Sequence, residues 1–184
     1  MTKSKRNQKP PHHQRVSISP NIMDIFHELD TADDRTTAIV GAAFVENGLA
    51  LAILSRLRIL DDSEQKQLFD NNDSVLATFA GKIDIGFALN IYGKLVRDDL
   101  HNIRAIRNRF AHHLEVRDFD HPEVAGKCDN LNGPKYIDRR PTQAPRTRRD
   151  CYTDTVAHFG ARFDLELKER HTPPEPIARI VPDY

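Results

Sequence analysis

The 184-residue chain is 39% hydrophobic and 29% charged, lacks tryptophan, and balances 27 basic against 27 acidic side chains. That is enough for one domain with a core and polar ends. No apolar run reaches the ~20 residues of a membrane span, because Glu46 and Asn47 interrupt the longest, Ala38 to Leu54.

Residues 1–20 show no apolar periodicity and contain Pro10, Pro11 and Pro20, the composition of a disordered basic arm. Asn21 can cap a short helix with Ile22, Ile25, Phe26 and Leu29 on one face. A long helix then starts at Thr31 or Asp33 and runs to about Leu57, mostly buried. Its small residues Gly41, Ala42, Ala43 and Gly48 admit a close neighbour. Asp61-Asp62-Ser63 opens a helix that ends near Phe69, and Ser74 opens one to Leu89. A short turn leads to the helix of Ile91 to His113. Pro122 suits the first turn of a helix to Asp129. Residues 131–147, with Gly133, Pro134, Pro141 and Pro145, read as a loop, and 148–170 as a final helix of the same domain. Tyr152, Val156, Phe159, Phe163 and Leu167 share a face of that helix, and prolines fill the tail, 171–184. The fold class is all-α: a bundle of five to six helices with its core in residues 21–130 and flexible tails.

Charge is unevenly placed along this plan. Residues 1–15 carry Lys3, Lys5, Arg6, Lys9 and Arg15 with no acid, whereas eleven acids oppose four bases between Val16 and Ser74. Lys135 to Arg149 is basic again, through Arg139, Arg140, Arg146, Arg148 and Arg149. Such blocks belong to solvated tails or to a nucleic-acid contact.

The helix of Ile91 to His113 bears the candidate site. Val96, Leu100, Ile103, Phe110 and Leu114 form an apolar stripe in which Arg107 falls, a costly place for a guanidinium unless it is paired or faces a polar cleft. Asn108 and His112, four residues apart, share a face that Arg104 extends. One reading pairs Arg107 with Asp84 or Glu46 and lets His112 cap the helix C-terminus; the other makes the row functional.

Arg107-Asn108-Arg109-Phe110-Ala111-His112 resembles the arginine, four residues, histidine motif of the HEPN superfamily of small helical bundles. More narrowly, the chain is similar to the bacterial mannitol operon repressor family. The similarity runs through RTTAIVGAAFVENGLALAIL, the LFD and SVLATFAGKIDIGFALN segments, RNRFAH and FDHPEVAGKC. This resemblance implies a dimeric helical regulator of transcription, working through a protein partner or through RNA or DNA. The alternative it implies is a metal-independent ribonuclease. His112 would then move the 2′-hydroxyl proton, Arg107 would steady the phosphorane, and Asn108 would orient the phosphate.

No recognition helix for DNA is evident. Phosphate contacts would therefore fall to the basic arm, to Arg104, and to Arg139, Arg140, Arg146, Arg148 and Arg149. His112, His113, His121 and Cys128 lack metal-site spacing, and no phosphate-binding glycine loop or nucleophile motif occurs. Neither metal nor cofactor is expected. Two cysteines, Cys128 and Cys151, form no disulfide framework, and no signal-type apolar segment follows the basic start, so the expected location is the cytoplasm.

Overall fold

A computed structural model describes residues 22–57, 59–136 and 146–168. The expected arm over 1–20, Arg139 and Arg140, and the tail over 171–184 lie outside these residues. The described residues are helical and turn structure: α1 (Ile22–Thr31), α2 (Asp34–Arg56), α3 (Asp62–Phe69), α4 (Phe79–Ala88), α5 (Lys94–His112), α6 (Pro122–Asp129), α7 (Gly133–Tyr136) and α8 (Arg148–Lys168). Five of these helices have ten residues or more, which matches the all-α bundle expected.

Helix α2 is the central strut. Asp33 starts it, its carboxylate accepting from the Thr36 backbone N–H at 3.0 Å and from the Thr36 hydroxyl at 2.8 Å. By length and composition α2 meets what a membrane span needs, because Glu46 and Asn47 do not outweigh the apolar residues around them between the charged ends of the helix. Here its faces serve a core instead: Ala38, Val45, Leu49, Ala52 and Ile53 are wholly buried, with α1, α4, α5 and α8 around them. Gly41 and Gly48 admit α8 closely, since a Cβ on either would stand 3.2–3.3 Å from Tyr152 or Phe163. Ala43, expected in the same contact, is exposed.

Tyr152 on α8 is fully buried and donates its hydroxyl to the Ala38 carbonyl at 2.7 Å, satisfying the one polar atom it carries inward. Phe110 and Phe119 continue from it in an aromatic row with centroids about 5 Å apart.

The helix expected from Ser74 to Leu89 is two elements. Ser74 caps a 3-10 turn, Val75–Ala77, and Thr78 is extended and accepts from the Gly81 N–H at 3.0 Å to begin α4. The hydroxyl offers the backbone an alternative to continuing the helix, so the chain bends there. After α4 the chain turns through Asn90, at φ 56°, where an asparagine tolerates the left-handed region. The Tyr92 hydroxyl locks that turn onto the Ile83 carbonyl at 2.7 Å.

The stretch read as a loop over 131–147 begins with a helical turn, α7. Its cause is Asp99 on α5, fully buried, which accepts from the Asn132 backbone N–H at 3.0 Å and from its side-chain amide at 2.9 Å. Burial pushes the Asp99 carboxyl above its usual range, while the Asn132 donors pull the other way. A carboxyl whose pKa is raised by folding holds its proton to higher pH in the native state than in the unfolded chain. Its contribution is therefore most favourable below the ordinary value of 3.8 and is lost as pH rises through the raised value. The stability difference between Asp99→Asn and the wild type, measured by urea unfolding from pH 3 to pH 7, should move in favour of the variant across that window. A difference that stays flat with pH would refute this.

Candidate functional site on helix α5

Helix α5 starts at Gly93 without a side-chain cap and buries Asp99, Leu100, Ile103, Ile106 and Phe110. The buried stripe therefore runs through Asp99 and Ile106 rather than to Leu114, which is 83% exposed beyond the helix end. Arg107 lies at the margin of the stripe and is half-buried. Its Nη1 donates to the Asn108 Oδ1 at 3.0 Å.

Neither carboxylate proposed as its partner is its partner. Glu46 takes Lys82 at 2.7 Å, and Asp84 takes Arg97 at 3.3 Å, with His101 at 3.9 Å. Arg104, one turn earlier, is half-buried and keeps its Nε away from solvent with no hydrogen-bond partner among the described residues. Arg104, Arg107 and Asn108 thus form one partly sheltered row along α5, and His112 stands exposed at its end. Guanidinium and amide donors at this spacing can grip an oxyanion, and an imidazole one turn on can exchange a proton with solvent.

His112 does not cap the helix. The C-cap residue is His113, and Arg35 from the start of α2 holds the terminal carbonyls. Its guanidinium donates to Phe110 O, to His113 O and Leu114 O at 3.2 Å each, and to Val116 O at 2.7 Å. Arg35 lies in the first family-like segment, yet nothing local in the sequence marks its partners.

The C-terminal rim of α5 gathers a further cluster. Ligand atoms of His113, Glu115 and Glu123 lie within 4.8 Å of one another. The Arg109 guanidinium enters the same cluster, 3.1 Å from His113 Nε2 and 3.2 Å from Glu123, so a fixed positive charge already sits there. Cys128 is buried on α6, and desolvation pushes its thiol up to about 12, far from the thiolate a metal needs.

Of the arginines expected on phosphate, Arg146, Arg148 and Arg149 have internal acids within reach. Arg146 lies 3.5 Å from Asp154. Arg148 reaches both Asp120 and Asp129 at 2.8 Å, and its hydrogen bond holds the Asp129 carboxyl below the usual range. Arg149 donates to Asp34, to Leu29 O at 2.8 Å, to Ala32 O at 2.6 Å and to Thr37 Oγ1 at 3.1 Å. It closes the C-terminus of α1 as Arg35 closes that of α5.

No protein-family model matches the chain, and no curated protein matches its sequence. Solved structures do match. One is MtlR, in the X-ray structure of the MtlR–HPr complex from Escherichia coli, with a TM-score of 0.60 over 77% of this chain and 97% of that one. The fold resembles that of the mannitol repressor. A possible transcriptional regulator, YggD from Shigella flexneri, matches at a TM-score of 0.54 over 84% of this chain and 99% of its own. Both are 13% identical to this chain, so the likeness to MtlR and YggD is one of fold. Neither bears on the HEPN superfamily.

Proposed function

We propose that this protein is a cytoplasmic regulator of transcription of the mannitol-repressor type, a dimeric helical bundle that acts chiefly by contacting another protein. The observation that carries the reading is the fold match along nearly the whole length of MtlR and of YggD. MtlR was solved in complex with a protein, HPr, which favours a protein partner here. The internal pairing of Arg146, Arg148 and Arg149 points the same way, because a guanidinium must give up its carboxylates before it can neutralise phosphate. Among the described residues Arg104 and Arg107 on α5 make no such ion pair, and they are the donors best placed for an acidic group on the partner.

Deleting the gene should raise transcription from at least one operon, and the purified chain should bind HPr from the same cell in calorimetry. Complementation with a chain carrying Arg107→Ala should fail where the wild type succeeds, while His112→Ala should restore repression. If the purified protein instead cleaves RNA in EDTA, and His112→Ala abolishes this with helical content intact, the ribonuclease reading replaces this one.

A further inference from the structure

Helix α3 is anomalous in this bundle: none of its residues is buried, although Leu68 and Phe69 are apolar. It rests beside the 3-10 turn, with a groove on either side. The larger groove, about 700 Å³, lies between α3, α2 and α4, and Leu54, Phe69, Asp62 and Asp70 are among its lining residues. The smaller, about 490 Å³, includes Leu60, Leu68, Glu64 and Asp73. Ile59 and Val75 nearby are 78% and 62% exposed. Apolar surface of this kind, open among the described residues and rimmed by charge, belongs to a contact rather than to free solvent.

The charge around α3 is predominantly acidic, although Lys66 and Lys82 also line the larger groove, Lys82 paired there with Glu46 at 2.7 Å. Residues 61–74 carry Asp61, Asp62, Glu64, Asp70 and Asp73 against Lys66 alone. The complementary segment is in the same chain: residues 1–15 hold Lys3, Lys5, Arg6, Lys9 and Arg15 with no acid, and place Pro10-Pro11 between Lys9 and Arg15. Paired prolines flanked by bases suit a groove that offers an aromatic side chain and carboxylates, because a proline-rich strand is already extended and loses little entropy on docking.

Attachment is favourable too. Leu29 on α1 receives the Thr37 hydroxyl, and Phe26 packs edge-on against Phe44 at 6.5 Å, so α1 runs antiparallel to α2. Its first residue therefore lies past Phe44 along α2, at about the level of Asn47, a residue that lines the larger groove. Residues 16–21, extended, reach about 20 Å, more than the width of one helix.

We infer that residues 1–15 dock along α3, with Pro10-Pro11 in the larger groove against Phe69 and Leu54 and the basic side chains opposite Asp62 and Asp70. The contact is independent of the proposed function and holds whether or not the protein regulates transcription. A partner offering the same chemistry, bases around apolar residues, would have to displace the arm.

The test compares the full chain with one lacking residues 1–15, using a fluorescent synthetic peptide of residues 1–15 as the probe in anisotropy titrations. The peptide should bind the truncated chain, and at least tenfold more weakly to the full chain, where the tethered arm already holds the site at high effective concentration. Lys5→Glu/Lys9→Glu in the peptide, which cannot disturb the fold, should weaken binding at least tenfold. So should Asp62→Asn/Asp70→Asn in the truncated chain. Carbodiimide treatment of the full chain should join Lys5 or Lys9 to Asp62 or Asp70 within one molecule. Equal binding to both chains, indifference to the charge changes, or crosslinks found only between two copies would overturn the proposal.

Discussion

Replacing Arg35 by alanine is expected to cost about 3 kcal/mol of stability and about 10 °C in Tm. The reason lies in where helix α5 ends. The last carbonyls of a helix have no partner within it, and Phe110 and Val116, which supply two of the carbonyls here, are fully buried. One guanidinium, 75 to 81 residues away in the chain, meets four carbonyls at this helix end and in the turn that follows it. Alanine leaves the Phe110 and Val116 carbonyls without the donor Arg35 gives them, whereas His113 O keeps the Val116 N–H and Leu114 is exposed to water. A sheltered acceptor that loses its donor costs more than a hydrogen bond contributes on average. Lysine keeps the charge but not the planar fork, so Arg35→Lys should recover less than half of the loss. Urea unfolding of the three proteins checks this, with a common slope required for the comparison. A loss under 1 kcal/mol in the alanine variant would mean that water or a local rearrangement replaces Arg35.

Which features were legible in the sequence follows from the range of the interactions behind them. Ile25 and Leu29, and Tyr152, Val156, Phe159 and Phe163, are buried as their helical spacing predicts, because burial of one face imposes a period that any window reveals. Asp33 and Pro122 mark helix starts, since a cap acts within one turn. The break at Thr78 is not legible, because a threonine inside an apolar run reads as neutral until its hydroxyl is seen on the Gly81 N–H. Helix α7 is invisible for a different reason: the group that organises it, Asp99, lies 33 residues upstream of Asn132. At the candidate site, periodicity sets Arg104, Asn108 and His112 on one face of α5 with Arg107 in the apolar stripe beside it, and Arg107 lies at the margin of that stripe, half-buried. Periodicity also placed Leu114 inside, which is not so because the stripe turns through Asp99 and Ile106. Of the two readings of Arg107, the one that pairs it with Asp84 or Glu46 fails because those acids take Arg97 and Lys82. The arginines that close α1 and α5 have no local signature at all.

Arg149→Ala should be as damaging as Arg35→Ala, about 3 kcal/mol, and for a related reason. Its Nη2 lies within hydrogen-bond distance of the carbonyls of Leu29 and Ala32 and of the Thr37 hydroxyl, and its Nη1 pairs with Asp34. Asp34 is itself the acceptor for the Phe119 N–H at 3.1 Å, so the loss spreads from α8 to α1, to α2 and to the turn before α6. Removing one partner of a sheltered ion pair strands the other, which is why Asp34→Asn should relieve part of the damage in the double variant. Arg148, whose partners Asp120 and Asp129 are exposed, should change stability little on the same substitution. The contrast separates structure from recognition. If Arg149→Ala lowers nucleic-acid or partner binding only in proportion to the fraction unfolded, the residue is a clasp. If binding falls while urea unfolding is unchanged, Arg149 leaves its carbonyls to meet a ligand, and the basic stretch at the head of α8 becomes the binding surface.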